Sequence, residues 1–148
     1  MTKYDAINIQ GLDSRVGDSN GNSIVLRNKS NKILFVKYGV NSVSEFNHLK
    51  RSVSSMALSD DGVLVVGYQY SDHGLVEVYD TSSASTRPTY AQVWTTDYGN
   101  GVSITPDAKM VVVGSPREGR VYLYKLNQGK FTSEQKITNK EIPHSVGK

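Results

Sequence analysis

Histidine is the side chain best suited to move a proton or hold a metal near neutral pH, and this chain has three, His48, His73 and His144. None has a His, Asp or Glu partner at a recognised ligand spacing, so each reads as an exposed polar residue. Oxygen ligands for a hard cation could come from Asp18-Ser-Asn20-Gly-Asn22, where Asp18, Asn20 and Asn22 alternate as in a calcium loop. With one carboxylate and an early glycine, the segment reads better as an Asx-rich turn, and no metal or other cofactor is expected. Serine and aspartate are plentiful, yet no Gly-x-Ser-x-Gly elbow is present. A phosphate-cradling Gly-x-x-x-x-Gly-Lys-[Ser/Thr] loop is also missing. Asp60 and Asp61 adjoin in a turn and would point apart, which is wrong for paired acid–base work. The expectation is a protein that is not an enzyme.

Binding chemistry is better represented. Tyr68, Tyr70, His73 and Arg117 sit in two stretches that read as loops, Tyr68–His73 and Ser115–Glu118. Aromatic rings and arginine on loops are typical interface anchors, though the same residues serve equally as packing between sheets. Tyr68, Tyr70 and Tyr98 could stack sugar rings, which makes a glycan-binding role the alternative to protein interaction. The net charge is +3 with the basic residues scattered, and the densest groups are Lys29–Lys32 and Lys50-Arg51. That is no basic stripe interleaved with aromatics, so a nucleic-acid partner is not expected. Cysteine is absent, which removes disulfide frameworks and thiolate zinc sites. No apolar run approaches the roughly 20 residues needed to span a bilayer, and no signal peptide is visible after Met1.

The elements that must position these residues emerge from an internal repeat. Ser54–Gly67 followed by Gly74–Asp80 matches Gly101–Gly114 followed by Gly119–Lys125. Gly67 and Gly114 lie 47 residues apart, Tyr79 and Tyr124 45 apart. A weaker copy upstream comprises Ile7–Ile9, a long polar loop, Ser23–Arg27 and Lys32–Lys37. Each copy reads as four short strands. The first ends at Ile9, Leu58 or Ile104, and a turn follows at Asp60-Asp61-Gly62 or Pro106-Asp107-Ala108. The second, Val63–Val66 or Met110–Val113, is apolar on both faces, as expected of a strand between layers. The third alternates, with Val76/Val78 and Val121/Leu123 on a buried face and Glu77/Tyr79 and Tyr122/Tyr124 on a wetter one. The fourth is expected at Ser44–Leu49, Tyr90–Thr95 and Phe131–Ile137, with Trp94 packing between sheets. A single β-sandwich shares the turn spacing, but has no reason to repeat one pattern at near-constant period, whereas a stacked array does. The expected fold is all-β, a partial β-propeller of about three four-stranded antiparallel blades. Blade 1 covers about 5–51, blade 2 about 52–97 and blade 3 about 98–140, with 141–148 leading toward a further blade or partner.

The motif Tyr98-Gly99, Val102-Ser-Ile-Thr-Pro-Asp107, Gly114-Ser-Pro116 and Gly119-Arg-Val-Tyr-Leu-Tyr124 resembles the FG-GAP repeat of integrin-α-type propellers, with Tyr for Phe and Ser for Ala. Gly129–Ile137 is similar to the outer strand of bacterial and viral versions. Blade 2 keeps Gly67 but carries Tyr68-Gln69 where that family has Ala-Pro, and blade 1 retains only the strand pattern. The resemblance implies a propeller serving adhesion, ligand binding or structure, in a setting such as a virion or surface complex. It does not select among these.

Three blades do not close a ring, since propellers have about four to eight. Val146-Gly147 stands where Tyr98-Gly99 stands one blade earlier. Three completions are open: a longer propeller, a second copy forming a six-bladed ring, or a capping protein partner. Self-association or capping is the favoured expectation.

Overall fold

The computed structural model describes residues 12–40, 42–46 and 52–138, and they form three antiparallel sheets of four strands each. The first contains β1 (Leu12–Ser19), β2 (Ser23–Asn28), β3 (Ile33–Lys37) and β4 (Val43–Phe46). The second contains β5 (Val53–Leu58), β6 (Val63–Gln69), β7 (Gly74–Asp80) and β8 (Tyr90–Trp94). The third contains β9 (Gly101–Ile104), β10 (Met110–Ser115), β11 (Arg120–Asn127) and β12 (Lys130–Ile137). Within each sheet the strands lie in chain order, so every connection is a hairpin. The sheets stack in sequence, with β5 lying against both β1 and β9. This is the expected array.

The apolar patterning explains the stack. Val25, Ile33 and Phe46 of the first sheet join Met56, Leu58, Leu64, Val66, Tyr68, Leu75 and Tyr79 of the second in one buried layer. Val65, Val76 and Val78, on the opposite face of the second sheet, pack with Tyr98, Val111, Val113, Tyr122 and Tyr124 in another. A strand with both faces in such layers must be apolar throughout, and β6 is.

Two turns show how local sequence sets the hairpins. Gly62 takes φ +91 and donates its N–H to Ser59 O at 3.2 Å. The corresponding turn in the third sheet puts Ala108 at φ +60, where a Cβ is disfavoured. There the Thr105 hydroxyl accepts the Met110 N–H at 3.0 Å and Asp107 accepts the Lys109 N–H at 3.1 Å. Across the stack, Asp60 N–H reaches Pro106 O at 3.0 Å and links the two turns.

Several expectations need correction. The first strand of the first sheet is Leu12–Ser19, inside the stretch expected to be a loop; Ile7–Ile9 lie outside the described residues. Glu77 and Tyr79 have no wet face: they are 3% and 2% exposed, because the first sheet covers that side of β7. In β11 the tyrosines face the neighbouring sheet, so the face expected to be wetter is the buried one. Trp94 packs between sheets only in part: it is 44% exposed on the outermost strand, with its indole reaching Glu118 in the β10–β11 turn of the third sheet. The fourth strand of the first sheet ends at Phe46, and the expected extension to Leu49, with His48 and Lys50-Arg51, lies outside the described residues. So do His144 and the segment 141–148.

Candidate interaction site

Two seams and two outer faces are available for function. At the seam between the second and third sheets, Tyr98-Gly99 enters a notch left by two glycines. A Cβ on Gly67 would collide with the Gly99 carbonyl, and one on Gly74 with the Tyr98 carbonyl. Polar groups hold the inserted backbone: Gln69 Nε2 donates to Tyr98 O at 2.8 Å, and Ser54 Oγ and Ser55 Oγ donate to Gly99 O at 3.1 and 3.2 Å. Gly99 takes φ +85 and donates its N–H to Gly114 O at 3.0 Å, which starts the third sheet. The Tyr98 ring meets Tyr122 edge-on with centroids 5.3 Å apart, and its hydroxyl pairs with Tyr124 at 2.7 Å. Tyr124 stacks on Phe131 at 4.1 Å.

The seam between the first and second sheets is built differently. Arg27 Nη1 donates to Val53 O at 2.7 Å, Asp18 accepts the Leu58 N–H at 2.8 Å, and Asn20 Nδ2 donates to Ser59 O at 2.8 Å. Inside it, Tyr79 donates to Glu77 at 2.7 Å, so the 3.0 Å contact between the Tyr68 and Tyr79 hydroxyls has Tyr68 as donor. Burial drives the Tyr68 and Tyr98 hydroxyls far above the ordinary tyrosine range, with their tyrosine neighbours adding to the effect, and Tyr124 is raised by burial too.

These seams decide most of the candidates read from sequence. Tyr68 and Tyr98 have no accessible surface, so neither offers a ring to a glycan or a partner. Both are packing residues. Asp18 and Asn20 are likewise engaged: the Asn20 side-chain oxygen accepts the Asn22 and Ser23 N–H groups at 2.9 and 2.8 Å, an Asx turn that joins β1 to β2 and leaves Asn22 exposed. Among the described residues no group of three or more His, Asp or Glu side chains is placed to hold a metal ion.

Tyr70 and His73 do come together, stacked with centroids 4.5 Å apart, while His73 Nδ1 lies 2.6 Å from Asp72. Arg117 is exposed on a single 3-10 turn, Pro116–Glu118, its N–H donated to Asp97 at 3.2 Å. Beside it lies a cluster that sequence reading missed. The Glu118 carboxylate accepts from Ser115 at 2.8 Å, Tyr122 at 2.9 Å and Thr95 at 3.1 Å. Burial pushes that carboxyl up, but hydrogen bonds from Ser115, Tyr122 and Thr95 outweigh it and hold it below the usual range. The cluster staples the β10–β11 turn to the end of the second sheet. A cleft of about 350 Å³ lies between Asp61, Val63, Val78, Tyr79, Asp80, Ser82, Thr89, Gln128 and Gly129.

The outer faces follow from strand alternation. In the first sheet the residues pointing away from the stack are Ile24, Leu26, Leu34, Val36 and Val43, paired as Ile24–Val36–Val43 and Leu26–Leu34. In the third they are Met110, Val112, Gly114, Val121, Leu123 and Ile137, interspersed with Lys125, Ser133 and Gln135. Both ends of the stack therefore carry apolar rows, broken by Glu45 at one end and by Lys125 at the other.

This architecture matches solved propellers. The propeller domain of Cps50 (Swd1) from Myceliophteria thermophila aligns with a TM-score of 0.62 at 12% identity, over 84% of this chain and 38% of that one. The Dos1 propeller aligns at 0.59 and 13%, over 84% and 35%. The fold is a partial β-propeller. Hydrazine synthase of Kuenenia stuttgartiensis also aligns, at 0.61 and 18%, over 90% of this chain and 38% of that one. The chain thus spans little more than a third of the structures it resembles. No family model matches it, and no curated protein does.

Proposed function

We propose that the chain is a non-catalytic protein-interaction module, a rigid three-blade platform completed by further blades from a second copy or another protein. The supporting observation is that both terminal sheets carry apolar rows on the faces turned away from the inner sheet, with Ile24 40% exposed at one end. Apolar surface at an end of a stack favours association. The Tyr98-Gly99 joint and the glycine notch are consistent with the FG-GAP kind of blade, and a larger assembly such as a virion or surface complex suits such a platform. Light scattering across a concentration series tests the reading. Growth from single-chain mass toward a closed pair, or capture of a defined partner at single-chain concentrations, supports it. A particle that keeps single-chain mass throughout and binds no dye for apolar surface overturns it.

A further inference from the structure

The seam between the second and third sheets is closed by packing except at the cleft of about 350 Å³. That volume lies at the small end of the roughly 300–1,000 Å³ of ligand pockets, enough for one inserted side chain. Val63 and the fully buried Val78 give it apolar wall. Both sheets contribute to its rim, and they are fixed to each other there. Thr89 Oγ donates to Gly129 O at 2.8 Å, and a Cβ on Gly129 would collide with Thr89. The charges in the cleft are of one sign. Asp61 and Asp80 line it, and no lysine, arginine or histidine does. Lys130 follows Gly129 but is exposed and outside the lining. Each aspartate engages one oxygen with neutral donors: Asp61 Oδ1 accepts the Ser59 hydroxyl at 2.5 Å, and Asp80 Oδ1 accepts the Ser82 hydroxyl and N–H at 2.6 and 3.0 Å. Neither carboxylate has an ion-pair partner among the described residues, although the chain carries a net charge of +3.

We propose that this cleft receives an arginine or lysine side chain presented by a protein partner. Such a side chain combines an aliphatic stem with a cationic head. The stem would lie against Val63 and Val78, and the head would meet the carboxylates of Asp61 and Asp80, where hydrogen bonds gain from opposite charge. A neutral or acidic side chain would leave both carboxylates without a counter-charge, so the cleft selects for sign as well as size. The lining is held by hydrogen bonds within and between the sheets, so little ordering is required when the side chain enters. This deepens the interaction reading and rests on it for the source of the side chain.

Chemical-shift titration of the full chain labelled with nitrogen-15, at a concentration where it has single-chain mass, tests the assignment. The probes are Nα-acetyl-arginine amide and Nα-acetyl-lysine amide. At least one should shift the amides of Asp61, Asp80 and Gly129 saturably, with Kd on the order of millimolar, while the amides of β2 and β3 stay in place. Neutral Nα-acetyl-citrulline amide should bind about tenfold more weakly or worse, since the charge on the hydrogen bonds is lost. Asp80→Asn should weaken the charged probe by about the same factor. Gln128→Lys, an exposed change that leaves both carboxylates in place, should weaken it too by setting a competing ammonium at the rim. The proposal is overturned if neither charged probe gives saturable shifts, or if citrulline binds as tightly. It is also overturned if Gln128→Lys leaves the affinity unchanged. Association measured by light scattering is read separately, so the platform can stand when the cleft takes no cation.

Discussion

Among the described glycines, Gly67 and Gly74 admit the closest backbone approach, since each leaves room for a carbonyl of the next sheet. Neither has a positive φ, so the constraint at both is space and not backbone conformation. Gly67→Ala and Gly74→Ala should each cost about 1–3 kcal/mol or more, as overpacking does, read as a lower urea midpoint by circular dichroism. The buried tyrosines make a second forecast. A tyrosine whose folded value is raised contributes stability that is complete below about pH 10 and is lost as pH climbs above it. Each buried tyrosine that ionises only on unfolding should steepen the alkaline loss by about 1.4 kcal/mol per pH unit. Urea midpoints measured from pH 8 to 11.5 should fall above pH 10, and Tyr98→Phe should flatten that limb. Glu118 works in the opposite direction. Its lowered value gives stability present above about pH 4.3, lost as pH falls through the folded value. Glu118→Gln should therefore be less stable at neutral pH and lose less than the wild type on acidification below pH 4. Of the residues singled out in the sequence, Tyr68 and Tyr98 were visible as important but not as interior, because an aromatic ring suits a seam and a surface equally.

At the level of strands and turns, most of the secondary structure was legible. Continuous apolar runs located β6 and β10, and the glycine and aspartate of Asp60-Asp61-Gly62 located the turn before β6. The first strand was misplaced because β1 contains Asp13, Ser14, Arg15, Gly17 and Asp18 and carries a bulge between Asp13 and Gly17. Its polar composition mimics a loop, and pairing with β2 decides the matter. Ala108 offers a test of local strain. In Ala108→Gly the left-handed residue loses its clash, about 1–2 kcal/mol, against roughly 0.5–1 kcal/mol of added chain entropy. Thermal melting should show a gain of up to about 1 kcal/mol. A loss would mean that the Thr105 and Asp107 hydrogen bonds already set this turn without strain.

Across the whole molecule, the asymmetry of the stack matters most. The inner sheet is covered on both sides, and the outer two are covered on one by described residues. A closed ring satisfies all faces, and the described strands do not. The stability of the stack should therefore depend on concentration: the thermal midpoint should rise as protein concentration increases a hundredfold, measured by differential scanning fluorimetry. A midpoint independent of concentration and of added partner would argue that the ends are stable as they stand. The two seams also differ in kind. Arg27, Asp18 and Asn20 hold the first seam with side chains, whereas backbone set into glycines holds the second. Salt should loosen the former more than the latter, since exposed charges are screened.

The amino-acid order alone determined that the chain is all-β, that its unit is four short strands, and that the unit recurs three times, because apolar alternation and turn chemistry are local properties. Which face of each strand is interior was settled only by stacking. Glu77 and Tyr79 alternate with valines as a solvated face would, and are buried because the first sheet lies over them. Burial of a β-strand is fixed by what is laid against it, and that neighbour is distant in sequence.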